Sequence, residues 1–80
     1  MNSRKQPTYI DERAEVSTEA VIGVGCRVWD WTKIREDVFI GDGVSIGQGC
    51  YIDSGVVIGN RCKIQNSVNI YQGVTIGDEV

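Results

Sequence analysis

Cys26, Cys50 and Cys62 are the side chains of this 80-residue chain best suited to covalent or metal bonding. Cysteines pair into disulfides and, as thiolates, ligate zinc, so the three invite either reading. Histidine, a frequent companion of cysteine at zinc and the side chain most often poised as a base near neutral pH, is absent altogether. His-ligated zinc and a histidine base are thereby removed from this chain. The net charge is −3, with eight basic residues scattered rather than clustered, which argues against nucleic acid or an anionic membrane as a partner. What the thiols can do then depends on the elements that carry them.

Those elements are set by a strict six-residue interval of large aliphatic residues running from Ile10 through Val16, Ile22, Val28 and Ile34 to Ile76. Four residues after each comes a smaller side chain, from Ala14, Ala20, Cys26 and Thr32 to Val80. An amphipathic helix repeats at about 3.6 residues and a two-sided strand at 2, so neither holds this pattern in phase. A period of six predicts short strands joined by turns and stacked as a parallel β-helix, with one large and one small inward position per hexad. All three cysteines occupy the small inward slot and are expected to be buried, reduced and structural. With three hexads per coil, Cys26 and Cys62 fall on one face two coils apart, about 9.6 Å at the usual strand spacing. That is beyond the roughly 7 Å limit between the Cα atoms of a disulfide.

A second period of eighteen overlies the first. Every third hexad opens with Ile-Gly, placing Gly23, Gly41, Gly59 and Gly77 in one column, and Val21, Phe39, Val57 and Thr75 stand just ahead of those isoleucines. Eighteen residues per coil predicts an all-β triangular prism of about four coils. The glycines fit corners that need close backbone approach or positive φ, and the outward Val21–Phe39–Val57 ridge reads as a contact surface. Residues 1–9 are taken as an N-terminal cap or arm and 10–80 as the hexapeptide-repeat β-helix. No apolar run approaches the roughly 20 residues that span a bilayer, and Met1 to Pro7 lacks the apolar segment of a signal peptide. A cytoplasmic chain is expected, and an odd number of cysteines suits that compartment.

The repeated [Ile/Val]-Gly-x-x-[small]-x resembles the hexapeptide repeat of the left-handed β-helix acyltransferases, from Ile10 to the last residue. Three segments sharpen the likeness: Val28-Trp29-Asp30-Trp31-Thr32-Lys33-Ile34-Arg35-Glu36, Ile46-Gly47-Gln48-Gly49-Cys50-Tyr51-Ile52 and Ile64-Gln65-Asn66-Ser67-Val68-Asn69-Ile70-Tyr71-Gln72-Gly73-Val74. They resemble the N-acetyltransferases that act on the 3-amino group of nucleotide-linked amino sugars such as UDP-2-acetamido-3-amino-2,3-dideoxyglucuronate, enzymes of cell-surface polysaccharide biosynthesis. The resemblance implies left-handed winding, a homotrimer, acetyl-CoA as co-substrate, no metal, and a nucleotide-linked amino sugar bound between adjacent prisms. It maps Asp30, Gln48 and Asn66 onto one polar corner ridge, with Trp29, Trp31, Gln65 and Tyr51 close by and the Asn66 position near the amino sugar. Arg35 and Glu36 fall on the next face, where the Arg fork suits charged sugar or phosphate groups.

Structural alternatives stand beside those roles: stacked Asn and Gln can simply satisfy turn backbone, and Arg35 and Glu36 can form a plain surface ion pair. Relatives often carry His where this chain has Asp30, so no protein base is carried over and no catalytic residue is assigned. An attacking amine can pass its proton to the departing CoA thiolate, leaving positioning as the protein's task. Family members are much longer, so the resemblance implies that this chain is the sugar-side part, with the coils that bind the CoA pantetheine beyond Val80 and little activity on its own. A non-catalytic self-assembling β-helix module and a hexapeptide O-acetyltransferase are the competing readings.

Overall fold

The computed structural model describes residues 7–80. Each hexad contributes one two-residue strand: β1 (Tyr9–Ile10), β2 (Glu15–Val16), β3 (Val21–Ile22), β4 (Arg27–Val28), β5 (Lys33–Ile34), β6 (Phe39–Ile40), β7 (Ser45–Ile46), β8 (Tyr51–Ile52), β9 (Val57–Ile58), β10 (Lys63–Ile64), β11 (Asn69–Ile70) and β12 (Thr75–Ile76). In every strand the second residue is the aliphatic one and points inward, while the first points out. The strands form three parallel sheets: a first face β1-β4-β7-β10, a second β2-β5-β8-β11 and a third β3-β6-β9-β12. Pairing joins residue i to i+18, as in Ile10↔Val28, Ile34↔Ile52 and Ile40↔Ile58. The result is an all-β, three-sided parallel β-helix of about four turns, consistent with the left-handed architecture expected. Among the described residues no helix is long and apolar enough to cross a membrane.

The core is the stack of inward residues. Ile40, Ile46, Ile52 and Ile58 are fully buried in the middle coils, with Val38, Val44 and Val56 filling the smaller slots. Burial fades toward the ends, where Ile10 is 42% and Val74 37% exposed. The three thiols are free and buried as expected, and they also form bonds that the hexad pattern did not reveal. Cys26, Cys50 and Cys62 donate S–H to the carbonyls of Gly41, Gln65 and Gly77 at 3.0, 2.9 and 2.9 Å. Thr32 Oγ1 does the same for Gly47 at 2.8 Å. The small slot thus tolerates a weak donor because the corner carbonyl fifteen residues ahead faces into the core and would otherwise be unpaired. Burial pushes the Cys26 thiol up, which keeps it protonated and unreactive.

The corners explain the glycines. At the third corner, where the third face turns back to the first, the backbone N–H groups of Val24, Asp42 and Asn60 donate to Oδ1 of Asp42, Asn60 and Asp78 at 3.0, 2.9 and 2.8 Å. This ladder of Asp and Asn carboxyl or amide oxygens links each coil to the next. Each rung lies directly over a glycine: a Cβ on Gly23, Gly41 or Gly59 would come within 2.2 to 2.3 Å of the rung oxygen. Close approach is therefore what the Ile-Gly column requires. Positive φ belongs to a different column two residues later, at Gly25 and Gly43 and, with side chains, Arg61 and Glu79.

Of the 1–9 segment, residues 1–6 lie outside the described residues; Thr8 Oγ1 donates to Gly23 O at 2.6 Å and Tyr9 N–H to Cys26 O at 2.8 Å, tying them to the following coil. Just beyond, the buried Asp11 carboxylate receives the Arg13 side chain at 3.0 and 3.1 Å, the Arg13 N–H at 2.8 Å and the Tyr9 hydroxyl at 3.1 Å. Those donors, the Arg13 guanidinium first, hold its pKa down from 3.8 to about 2.

Two outcomes test this account. Gly41→Ala should destabilise the chain in urea by about 1–3 kcal/mol, the range for forcing atoms into a filled site, whereas Asn60→Ala should cost about 1 kcal/mol through one lost rung. Equal stability of Gly41→Ala and the parent would refute the close-approach reading. For Asp11 the folded pKa lies below the unfolded one, so its contribution is fully present above about pH 4 and is lost as pH falls toward 2. Thermal unfolding followed from pH 5 to 2 should show this loss, and Asp11→Asn should flatten the profile in that window.

Candidate functional site

The first corner, where the first face turns to the second, is formed by residues 29–32, 47–50 and 65–68 in successive coils above Asp11. Eighteen-residue spacing stacks Asp30, Gln48 and Asn66 in one column, as the sequence predicts. Gln48 and Asn66 are exposed and Asp30 half-buried. The ladder chemistry of the third corner recurs once here: Asn66 Oδ1 accepts the Gln48 N–H at 3.0 Å, and a Cβ on Gly47 would lie 2.3 Å from that oxygen. Backbone bonds from Gly49 N–H to Asp30 O at 3.0 Å and from Ser67 N–H to Gln48 O at 2.8 Å clamp the column. Asn66 is thus structural through its oxygen. Its Nδ2 remains a fixed, outward hydrogen-bond donor, with exposed Gln65 beside it in the chain.

The two tryptophans mark the lower end of this corner. Trp29 packs against Tyr9 with ring centroids 5.4 Å apart at 53°. Trp31 is 64% exposed and sits at φ 62°. Left-handed backbone is uncommon and costly for a bulky residue; here it is imposed by the corner, since Gly49 and Ser67 in the same column share it. The conformation projects the indole away from the core and leaves an aromatic face open beside Asp30.

Arg35 and Glu36 begin the second corner, at the far end of β5 from Trp31. Arg35 Nη1–H donates to the Tyr51 hydroxyl at 2.7 Å and Nε–H to Glu36 Oε1 at 3.1 Å, with Asp53 4.0 Å away. The Tyr51 contact and the Glu36 charge raise the Arg35 pKa further. Glu36 is held lower by a bond from its own backbone N–H and by Arg35. The ion pair read as the structural alternative therefore forms, and it carries Tyr51 with it. Beside it lies an open depression of about 450 Å³ lined by Glu15, Val16, Ser17, Lys33, Ile34, Arg35 and Glu36. Lys33 Nζ reaches Glu15 at 3.8 Å. Glu15, Ser17 and Lys33 were not singled out from sequence, although reading outward positions at an interval of eighteen places Glu15 and Lys33 next to each other.

The site residues thus form two groups flanking the second face: Asp30, Gln48, Gln65, Asn66 and the tryptophans at one corner, and Arg35 with Glu36 at the other, bonded to Tyr51 on the face between them. The first offers amide donors, a carboxylate and indole; the second offers a guanidinium already occupied by a carboxylate and a phenol. Among the described residues no group of three or more Cys, Asp or Glu side chains is disposed to hold a metal ion.

The profile of the family described as Bacterial transferase hexapeptide (six repeats) matches residues 32–64. No curated protein sequence matches the chain. Among solved structures, the fold is similar to a mutant of perosamine N-acetyltransferase from Caulobacter crescentus in complex with CoA and GDP-perosamine, with a TM-score of 0.67 and 23% identity. The match covers 92% of this chain but 44% of that one, so this chain spans less than half its length. Residues 32–64 thus match the bacterial transferase hexapeptide repeat, within a three-sided β-helix whose fold is like that of the solved structure.

Proposed function

We propose that this chain is the sugar-side part of an acetyl-CoA-dependent N-acetyltransferase that modifies a nucleotide-linked amino sugar for cell-surface polysaccharide biosynthesis in the cytoplasm. The observation that carries the reading is the likeness of its fold to a structure holding both CoA and a nucleotide-linked amino sugar. The first corner supports it: Asn66 Nδ2, Gln65, Gln48 and Asp30 supply hydrogen-bonding groups for a sugar, and the Trp31 indole supplies a flat face for a ring. Arg35 and Glu36 border the same face and suit charged groups of the substrate.

In the reaction the sugar amine attacks the thioester carbonyl, a C–N bond forms and the C–S bond breaks. The proton leaving nitrogen is taken up by the departing thiolate, so no histidine is required. What the protein contributes is the alignment of amine and thioester. The β-helix suits that task, because backbone bonds between successive coils hold the corners that carry these side chains, and Asn66 is itself bonded to the coil before it.

The apolar ridge supports assembly as a homotrimer. Val21, Phe39 and Val57 on the third face are 56%, 51% and 38% exposed, an apolar column that burial between copies would stabilise. This ridge also favours the second reading, a self-assembling β-helix module without catalysis. Sedimentation should give three times the chain mass, and Phe39→Asp should dissociate the assembly; a monodisperse monomer at micromolar concentration overturns the trimer in both readings.

Catalysis separates the two. This chain and any longer natural form should be assayed with acetyl-CoA against a panel of nucleotide-linked amino sugars, with amide product expected and the longer form the more active. Asn66→Asp keeps the oxygen that accepts the Gln48 N–H, as Asp42 and Asp78 do at the third corner, while replacing the amide donor by a carboxylate oxygen and its charge. It should lower kcat/KM about tenfold, the equivalent of one lost hydrogen bond of about 1.4 kcal/mol. Absence of turnover in every form and with every sugar would leave the module reading.

A further inference from the structure

Apart from Tyr9, which packs on Trp29, the outward residues of the first face take no part in the site described above. They are Tyr9, Arg27, Ser45 and Lys63, placed in one column by the register Tyr9↔Arg27, Arg27↔Ser45 and Lys63↔Ser45. Of the eight basic residues, Arg4 and Lys5 lie outside the described residues. Four of the remaining six are ion-paired: Arg13 with Asp11, Lys33 with Glu15, Arg35 with Glu36 and Arg61 with Glu79. The other two, Arg27 and Lys63, have no carboxylate partner among the described residues and stand exposed on the same sheet. The acids at the bordering corners are Asp11, Glu12, Asp30, Asp42, Asp78 and Glu79; Asp11 and Glu79 are paired with Arg13 and Arg61, and the Oδ1 atoms of Asp42 and Asp78 accept the N–H groups of Val24 and Asn60 at 3.0 and 2.8 Å.

In a chain of net charge −3, Arg27 and Lys63 make a locally positive column on one face, and such a column attracts an anion. Their Cα atoms are separated by two strand spacings, about 9.6 Å, with the half-buried Ser45 between. Both side chains are long enough to lean toward Ser45 from either side. Arg offers a bidentate fork and Lys a compact point charge, and the hydroxyl can donate to the same group. A single carboxylate cannot satisfy both ends of such a column; a group with two linked anionic centres can. Trp29 and Tyr9, with rings 5.4 Å apart, flank its Arg27 end and present aromatic surface next to the charge.

We infer that Arg27, Ser45 and Lys63 form a pyrophosphate-binding column on the first face, taking the diphosphate of a nucleoside-diphosphate ligand whose remainder extends over the first corner. The inference rests on the proposed acetyl transfer only in its choice of ligand, because nucleotide-linked sugars and CoA both carry a pyrophosphate. The column is adjacent to the Asn66 ridge through that corner, so a nucleotide bound along it can direct its sugar toward Asn66. It also frees Arg35, already engaged by Glu36 and Tyr51, from the duty of holding phosphate.

The test is isothermal titration of this chain with inorganic pyrophosphate, followed by UDP, GDP and CoA as separate arms. Pyrophosphate should bind, and more weakly as salt rises. The double variant Arg27→Gln/Lys63→Gln should weaken binding about tenfold or more, whereas Arg61→Gln, which removes a paired cation at the neighbouring corner, should leave it unchanged. Tighter binding of UDP or GDP than of CoA, lost in the double variant, assigns the column to the nucleotide sugar; the reverse order assigns it to CoA. A double variant with parental circular dichroism and parental pyrophosphate affinity overturns the column, as does a parent that binds no pyrophosphate. Binding without any acetyl transfer would remove the proposed function and leave the column, while transfer with unaltered KM values in the double variant would do the opposite.

Discussion

The stacking of each coil on the next, about 4.8 Å away along the hydrogen-bond direction, is the constraint on which the rest of this structure depends. It is enforced by backbone pairing of residue i with i+18 along all three faces. At that spacing there is no room at a corner for an ordinary side chain beneath an Asp or Asn rung, so Gly23, Gly41, Gly47 and Gly59 stand where they do. Inside the prism the same spacing lets one isoleucine rest on the next without a gap, which is why Ile40 and Ile58, or Ile34 and Ile52, are both paired and buried. A β-helix turns a one-dimensional repeat into three continuous sheets, and each defect in the repeat is felt by the coils on either side.

The parts of this arrangement that depend on period alone were legible in the sequence. Alternation of a large and a small inward residue located Ile46 and Cys50 in the core, and an interval of eighteen assembled Asp30, Gln48 and Asn66 at one corner and Val21, Phe39 and Val57 on one face. What escaped were interactions between positions that the period aligns but whose chemistry it does not specify. The glycine column illustrates this: sequence left close approach and positive φ as alternatives, and only the placement of Asp42, Asn60 and Asp78 over Gly23, Gly41 and Gly59 decides for the first. The thiol-to-carbonyl bonds of Cys26, Cys50 and Cys62 span fifteen residues rather than eighteen. That offset arises from the turn geometry and has no signature in the hexad. The left-handed φ of Trp31 and the Arg35–Tyr51 bond have the same origin, in corner shape and rotamer choice.

Separating the outward columns by face divides the labour of the molecule. The third face presents Val21, Phe39 and Val57, which gain by meeting another apolar surface. The second face balances its charges internally, through Lys33 with Glu15 and Arg35 with Glu36. Among the described residues, the first face alone leaves cations uncompensated. Because inward positions are filled by nearly interchangeable aliphatic residues, chemistry is confined to outward and corner positions, and these can vary without disturbing the core. A site built this way is rigid from below, since every corner is bonded to its neighbours in the coil stack.

Asn66 shows how one side chain on such a scaffold can close a corner and still keep a hydrogen-bond donor unused by the fold. The ladder needs only an oxygen that accepts the N–H of the coil before it, and at the third corner Asp42 and Asp78 meet that need as well as Asn60 does. Selection for stacking alone would therefore not distinguish an amide from a carboxylate at position 66. The amide differs in two respects. It adds no negative charge to a corner where Asp30 already stands, and it keeps a donor directed outward whose orientation is fixed by the oxygen's bond to Gln48. A donor held in this way has lost its rotational freedom before any ligand arrives, so the entropy of ordering it is not charged to binding. The residue that closes the corner is thus the one best prepared to read a hydrogen-bond acceptor placed over it.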